Sequence, residues 1–183
     1  MPALRSRVPG ALLAARPAAD ADADARSFRD ALGRFATGVA FVAALPDGEP
    51  AGLVVNSLAS VSLEPPLVSF CPSRTSFTWG RMRRTGRFGV SVLGSGHAGF
   101  AAAAARPGAD RFAGLDWQNG AGGVPLLRDA LATLECTIAD EHPAGDHWIV
   151  VGRVEAVRVA PVTEPVVFFA GRFHELADGP ATR

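Results

Sequence analysis

The sequence contains no tyrosine and only two cysteines, and none of its apolar runs is long enough to cross a membrane as a helix. Cys71 and Cys136 stand far apart and form no CxxC pair. A disulfide framework is therefore not expected, and the reducing cytoplasm is the predicted location. Without tyrosine, no phenolic hydroxyl is available to a functional site.

An excess of charge of either sign is also missing, because Lys and Arg together number 18 and Asp and Glu together number 18. Nucleic acid and anionic membranes are therefore not expected as partners. The length of 183 residues, the hydrophobic content of 48% and the mean hydropathy of +0.18 fit one domain with a sizeable core.

Several common nucleotide-binding motifs are absent from the sequence. No GxGxxG follows a predicted strand and opens a helix, so a Rossmann dinucleotide site is not supported, and there is no P-loop. His142 and His147 lie five residues apart across a Pro-Gly turn, without the Cys or acidic pattern of a metal site. No metal is expected.

The most informative stretch runs from Ala51 to Gly80. Two apolar runs, 52–55 and 67–71, predict strands, and each is followed by small hydroxyl and amide residues. Donor-rich loops at strand ends suit a ligand with many acceptors, such as a phosphate or a polar ring edge. The same residues also fit ordinary turn and helix capping, and the two interpretations are compatible at Ser73–Ser76. The polar residues concerned are Asn56, Ser57, Ser60, Ser62, Ser73, Arg74, Thr75, Ser76 and Thr78.

The remaining pattern predicts six or seven mostly antiparallel strands and two or three helices, with no βαβ rhythm. The apolar run 39–45, the turn at 46–48 and the strand that returns from Ala51 predict a β-hairpin, and residues 76–84 predict a short helix. Residues 1–25 predict a disordered Ala/Pro/Arg-rich tail, residues 26–177 one domain, and residues 178–183 a flexible tail. Ser27, with Asp30 three residues later, predicts the start of a first helix that ends at Gly38. Residues 141–147 predict a polar turn before a long strand. The fold class is therefore mainly β, an antiparallel barrel with a few peripheral helices.

Several motifs, taken together and in their order along the chain, resemble those of the flavin reductase family, the small reductase components of two-component flavin-dependent monooxygenases. The resemblance covers residues 28–176, and its most specific parts are NSLASVSLEPPL at residues 56–67 and GDH at residues 145–147. The motifs that carry it are Gly38-Val39, Val55–Cys71, Ser73–Ser76, Gly86–Phe88, Asp110–Phe112, Gly145–His147 and the final FFAGRFHEL.

The resemblance implies an FMN-binding split β-barrel of Greek-key type, a homodimer, and FMN or FAD as the flavin, with NADH or NADPH as the reductant. It further implies an NAD(P)H:flavin oxidoreductase that supplies reduced flavin to a separate monooxygenase. Two alternatives remain open: a flavoenzyme that retains its flavin and oxidises or oxygenates an organic substrate, and a non-catalytic flavin carrier. The choices between FMN and FAD and between NADH and NADPH also remain open.

Carried onto this chain, the resemblance assigns one group of residues to the flavin and another to the nicotinamide. His147 is the expected catalytic residue, and it would position the nicotinamide or pass a proton to the reduced flavin. Phe173 and Arg111 are expected on the same side, although Arg111 also fits simple loop packing, and Phe173 stands where the family often has Tyr. The isoalloxazine ring is expected against Thr37, Gly38, Val39, Asn56, Ser57 and Leu58, and the ribityl phosphate against hydroxyls and free loop amides of Ser60, Cys71, Ser73, Arg74 and Ser76.

Overall fold

The computed structural model describes residues 18–104, 106, 108, 110–161 and 164–175. Three α-helices lie within these ranges: α1 (Ala18–Leu32), α2 (Phe77–Met82) and α3 (Ala98–Ala104). Short 3-10 turns occupy Pro46–Gly48, Arg83–Thr85 and Ser95–His97. The strands in chain order are β1 (Thr37–Gly38), β2 (Ala40–Ala44), β3 (Ala51–Val55), β4 (Ala59–Leu63), β5 (Pro66–Phe70), β6 (Arg87–Val92), β7 (Trp117–Asn119), β8 (Pro125–Leu127), β9 (Ala132–Ala144), β10 (His147–Val159), β11 (Val166–Phe169) and β12 (Arg172–Glu175).

Seven strands form one antiparallel sheet in the order β3-β2-β6-β9-β10-β5-β4. The two edge strands, β3 and β4, follow one another in the chain and are joined by residues 56–58. The sheet therefore curls until its edges meet at this short link, as an open barrel does. Smaller sheets, β1-β11-β12 and β7-β8, flank it. This is the predicted antiparallel barrel with peripheral helices.

The barrel interior is filled by apolar side chains from β2, β3, β5, β6, β9, β10 and α2. At its centre the rings of Phe70, Trp79 and Phe88 meet edge to face, with Phe70 5.1 Å from Trp79 and 5.2 Å from Phe88 between centroids. A Cβ at Gly152 would lie 2.4 Å from the Phe88 ring, so only glycine leaves room for this packing. α2 thus packs its buried Trp79 and Met82 into the barrel core and lies against β3.

β2 is buried on both faces, which explains why its sequence is apolar throughout rather than alternating. One face points into the barrel, and the other joins a second cluster beneath α3, β8 and β11. There, the Phe41 ring contacts Phe100 and Phe112, each at 5.2 Å between centroids. β2 and β3 form the predicted hairpin, with Ala40 opposite Val55.

The predicted polar turn over residues 141–147 is wrong in length. β9 and β10 pair as far as Ala144 and His147, which leaves only a two-residue turn in which Gly145 has φ +61°. The partner of β9 on its other side, β6, has its first residue, Arg87, opposite Thr137, so the part of β9 beyond Thr137 has no strand on that side. Pro143 therefore lies where β9 has a free edge and its missing N–H costs no bond.

The first helix begins earlier than Ser27, so Ser27 is not its cap. Residues 18–25, predicted as part of the tail, form its first half, because their alternating Ala and Asp combine strong helix formers with charges that favour a helix N-terminus. It ends at Leu32, well before Gly38, which belongs to β1. The rest of the predicted tails, residues 1–17 and 178–183, lie outside the described residues.

Five short strands, β1, β4, β7, β8 and β12, were not predicted. β4 replaces what the sequence suggested was a hydroxyl-rich loop, since Ser60 and Ser62 alternate with apolar residues along it. α2 is confirmed, with the Ser76 side chain accepting a hydrogen bond from the Trp79 N–H. None of the helices in the described ranges has the length and apolarity needed to cross a membrane.

Candidate functional site

The link between the two sheet edges separates two clefts and lines both of them. Asn56 and Ser57 form part of an apolar cleft of about 550 Å³ and part of a polar cleft of about 230 Å³. The apolar cleft lies between α1 and the small sheet and is lined mainly by Phe28, Leu32, Phe35, Thr37 and Phe168. The polar cleft, called here the hydroxyl cleft, is lined by residues 53–57, Cys71, Pro72, Ser73 and Ser76.

Thr37 supplies an unsatisfied polar atom to the apolar cleft. It begins β1 opposite Phe168, and its hydroxyl oxygen is buried without a hydrogen-bond partner among the described residues. A buried hydroxyl without a partner costs free energy, so the position suits a ligand that presents a donor or acceptor there. Val39, two residues later, is buried in the second core cluster, while Gly38 between them is exposed.

The loop that begins at Ser73 is rich in hydroxyls, but its backbone amides are already occupied. The N–H groups of Arg74, Thr75 and Ser76 donate to the Asp146 carbonyl, the Ser73 hydroxyl and the Ser73 carbonyl. The N–H of Cys71 likewise donates to the Ser57 hydroxyl. The expectation of free loop amides is therefore wrong, because long-range and local partners consume them. An anion in this cleft would rely on side-chain hydroxyls. Arg74 does not line the cleft, and its guanidinium lies over the Trp148 ring, 5.5 Å from the ring centroid, so it would add positive charge from beside the cleft.

His147 lies beside this loop. It forms an isolated β-bridge with Ser73, and the next N–H, that of Trp148, donates to the Pro72 carbonyl at 2.9 Å. The Arg74 guanidinium donates to the Gly145 carbonyl at 3.3 Å. The structure thus brings the predicted phosphate residues and the predicted catalytic histidine into direct contact, although 71 positions separate Arg74 from Gly145.

The imidazole of His147 is half exposed and is held by its neighbour. Its Nδ1 lies 2.8 Å from a carboxylate oxygen of Asp146. This hydrogen bond is the main cause that lowers the pKa of Asp146, and the positive charge of Arg29 on α1 lowers it further. With Nδ1 engaged, Nε2 is the ring nitrogen left for a ligand. In the described part of the chain, no cluster of three or more potential metal ligands occurs.

The structure does not gather every predicted residue around these clefts. Ser60 is exposed on β4 and lines neither cleft, while Leu58 packs against the barrel core. Phe173 lies opposite Phe168 on the neighbouring strand of the small sheet, with the two rings tilted against each other and their centroids 5.2 Å apart. Arg111 lies elsewhere: its guanidinium donates to the Ala104 carbonyl and the Thr78 hydroxyl.

Sequence reasoning missed the wall of the apolar cleft. The spacing of Phe28, Ala31, Leu32 and Phe35 predicts one apolar face, but the sequence assigned no ligand to it. In the structure Phe28, Leu32 and Phe35 are 67%, 54% and 72% exposed and border the cleft. The large apolar residues were the signal available in the sequence. It was ambiguous, because a helix face that packs on a core and one that lines a ligand site have the same periodicity.

Cys71 is a free cysteine on the wall of the hydroxyl cleft. Partial burial raises its pKa, so the thiol remains protonated at neutral pH. It therefore contributes its backbone and a small apolar surface rather than a nucleophile. Taken together, the two clefts suit an amphiphilic ligand whose flat, largely apolar part and anionic part meet at Asn56 and Ser57.

The chain is matched over residues 32–177 by the family described as flavin reductase like domain. It belongs to the flavin reductase family.

Individual members of the family are similar to this chain in sequence and in structure. The chain is 40% identical over 150 residues to HsaB, the reductase subunit of a flavin-dependent monooxygenase from Rhodococcus jostii (strain RHA1), covering 82% of this chain and 77% of HsaB. It is 41% identical over 151 residues to SmoA, an FMN reductase (NADH) of Agrobacterium fabrum (strain C58 / ATCC 33970), covering 82% and 85%. The NADH:FAD oxidoreductase SgcE6 of Streptomyces globisporus C-1027, in complex with NAD and FAD fragments, superposes with a TM-score of 0.80 at 36% identity, covering 88% and 96%.

These similarities confirm the predicted family, the split-barrel fold class and the expectation of a flavin-reducing oxidoreductase. The flavins and the NADH expected from the sequence are those named for SmoA and SgcE6. The roles of individual residues and the homodimer stay predictions.

Proposed function

We propose that this protein is an NAD(P)H:flavin oxidoreductase that supplies reduced flavin to a separate monooxygenase. The observation that carries the proposal is the pair of clefts sharing Asn56 and Ser57, one apolar and one rich in hydroxyls. A flavin has this division, with a ring system at one end and a phosphate at the other. HsaB, a relative at 40% identity, is the reductase subunit of a monooxygenase, which supports a separate oxygenase as the partner.

In this proposal the chain binds and orients, and the cofactors carry the redox chemistry. Hydride transfer from the reduced nicotinamide to the flavin is the reaction that the two cofactors supply when both are bound. Asn56 and Ser57 hold the junction between ring and ribityl chain, and the Thr37 hydroxyl meets a polar group of the ring edge. Ser73 and Ser76 hold the phosphate, and the Arg74 guanidinium adds positive charge from beside the cleft.

His147 serves the nicotinamide side. Asp146 fixes Nδ1, so Nε2 is presented as the group that positions the nicotinamide amide or exchanges a proton with solvent. Its contact with the Ser73 loop, through the Ser73 bridge and the Trp148 N–H, keeps the nicotinamide side in fixed register with the phosphate side. We further propose a homodimer and a cytoplasmic location.

The test is the rate at which the purified protein consumes NADH or NADPH with and without added FMN or FAD. Oxidation that requires added flavin supports a reductase of diffusible flavin. His147→Ala should raise KM for the nicotinamide about tenfold through one lost hydrogen bond, with flavin affinity unchanged. The exposed His142→Ala is the matched control on the same hairpin. A flavin-loaded protein that oxidises neither nucleotide would contradict the proposal.

A further inference from the structure

A third cleft extends the hydroxyl cleft along the same two structural elements. The hydroxyl cleft includes Leu53 of β3 and Ser76, and the third cleft begins at the adjoining Gly52 and Phe77. The third cleft has a volume of about 190 Å³ and is called here the arginine cleft. Because a strand rises about 3.3 Å per residue, the centres of the two clefts lie on the order of 10 Å apart along β3.

The arginine cleft is lined by two arginines, Arg81 and Arg111. Arg111 is fixed by hydrogen bonds to the Ala104 carbonyl and the Thr78 hydroxyl. Within the described ranges, no carboxylate lies at ion-pair distance from either arginine. The one acidic residue on the wall, Asp110, uses a carboxylate oxygen to accept the Phe112 N–H. Two unpaired cations in one cleft, together with a hydroxyl, favour an anion.

An aromatic ring stands beside these cations. Phe77 lines the arginine cleft and is 80% exposed, so its ring is available to a ligand in that cleft. Arg81 follows it by four positions on α2, so the two side chains lie on the same helix face. An exposed aromatic face next to two guanidinium groups suits a nucleotide, with its base on the ring and its phosphate on the arginines.

Resting on the proposed function, we propose that the arginine cleft is the subsite for the adenylate half of FAD and that the protein prefers FAD to FMN. The three clefts then follow the order of the parts of FAD: the ring in the apolar cleft, the pyrophosphate where the hydroxyl cleft adjoins the arginine cleft at Ser76 and Phe77, and the adenosine in the arginine cleft. FMN would leave the arginine cleft empty. The adenylate of a nicotinamide dinucleotide has the same chemistry, but only the flavin is expected to enter through the adjoining hydroxyl cleft.

The experiment is an equilibrium titration of the full chain with FAD, FMN and AMP, followed by flavin fluorescence and, for AMP, by calorimetry. The variants are Phe77→Ala and Arg81→Gln, since Arg111 also ties two elements together. Arg84→Gln is the control, because Arg84 is exposed, faces Asp47 and lies outside the cleft. We expect FAD to bind at least tenfold more tightly than FMN, and each cleft variant to lose about tenfold for FAD and AMP but less than twofold for FMN.

The outcomes separate this inference from the proposed function. If both flavins bind with equal affinity, or if the cleft variants change both alike, the FAD subsite is wrong while flavin reduction stands. If the variants instead raise KM for NADH with FMN as the flavin and leave the ratio of FAD to FMN affinity unchanged, the cleft belongs to the nicotinamide nucleotide. If AMP binds in the arginine cleft but neither flavin binds the chain, the proposed function fails.

Discussion

The hydroxyl of Ser57 accepts a hydrogen bond from the backbone N–H of Cys71 at 2.9 Å. The bond joins the link after β3 to the end of β5, and these two strands are not neighbours in the sheet. It therefore fastens the open side of the barrel at the place where the apolar and hydroxyl clefts meet. A residue predicted to contact the flavin is thus also part of the framework that shapes the site.

Ser57→Ala should weaken both stability and flavin binding. Loss of this bond leaves the Cys71 N–H unsatisfied, which costs about 1 kcal/mol in the free energy of unfolding, and flavin affinity should fall about fivefold as the cleft edge loosens. Denaturant titration and flavin fluorescence measure the two effects. Ser57→Thr keeps the hydroxyl and should retain most of both properties. A Ser57→Ala protein with normal flavin affinity would show that the bond does not shape the site.

Thr37→Val should change stability and flavin binding in opposite directions. Valine has nearly the same shape, and it removes a buried hydroxyl that has no partner among the described residues. The flavin-free protein should gain about 1 kcal/mol of stability, because an unsatisfied buried polar group is lost. Flavin affinity should fall about fivefold, because the ring loses a hydrogen bond. Thermal melts with and without flavin separate the two effects, and a stability loss without flavin would contradict the assignment.

Local sequence signals predicted the parts of the fold that depend on neighbouring residues. The apolar runs on either side of Pro46-Asp47-Gly48 predicted the β2–β3 hairpin, and Ser76 predicted the start of α2. The extent of the β9–β10 hairpin was not predictable in this way. Pro143 is tolerated in β9 because the pairing of β6 with β9 extends no further than Thr137. The extent of that pairing depends on contacts between segments that are distant in the chain.

The candidate site shows the same difference between features set by neighbouring residues, which the sequence predicted, and features set by distant contacts, which it did not. The hydroxyl residues around Asn56 and Ser73 were visible in the sequence as a donor-rich pattern. The occupation of the Ser73 loop amides was not, because the Arg74 N–H is consumed by the carbonyl of Asp146. The apolar wall formed by α1 was visible as a pattern but ambiguous, since amphipathicity does not reveal whether a helix faces a core or a ligand.

Glu141 should be important for stability rather than for flavin binding. Its carboxylate accepts the indole N–H of the buried Trp79 at 3.1 Å and pairs with Arg83 at 2.8 Å. Glu141→Ala leaves both donors without an acceptor and should lower the free energy of unfolding by about 3 kcal/mol. Glu141→Gln keeps an acceptor for the indole and should cost less. Urea titration followed by tryptophan fluorescence measures the difference, and equal losses in the two variants would argue against the Trp79 bond.

Cys136 should make the protein less stable at alkaline pH. Burial, with the charges of Glu155 and Glu135 as lesser causes, raises its pKa from 9.0 to about 12. The unfolded chain therefore releases this proton at lower pH than the folded chain, and stability is full below pH 9 and is lost as the pH rises towards 12. The loss should be about 4 kcal/mol in the free energy of unfolding, since each of the three pKa units corresponds to about 1.4 kcal/mol.

This alkaline effect can be measured cleanly because the sequence has neither tyrosine nor lysine. Apart from the two cysteines, no side chain with an ordinary pKa titrates in that interval. Urea titrations at a series of pH values should show a steep fall in wild-type stability, and Cys136→Ala should flatten it even though its stability at neutral pH is lower. An unchanged pH dependence in Cys136→Ala would show that the thiol is not the group responsible.

Cys71 should report directly on occupation of the hydroxyl cleft. It lines that cleft and is partly accessible, whereas Cys136 is 2% exposed in the barrel core. Both thiols have raised pKa values, so alkylation requires mildly alkaline solution, where Cys71 should react first. Bound flavin should slow that reaction at least tenfold by covering the sulfur, and FAD should protect at lower concentration than FMN if the arginine cleft holds adenylate.

Mass spectrometry after timed iodoacetamide treatment identifies the modified residue, and Cys136 provides the internal standard for unfolding. Equal labelling of Cys71 with and without saturating flavin would place the phosphate somewhere other than the hydroxyl cleft, because a ligand held by Ser73 and Ser76 cannot leave the adjoining wall of that cleft open.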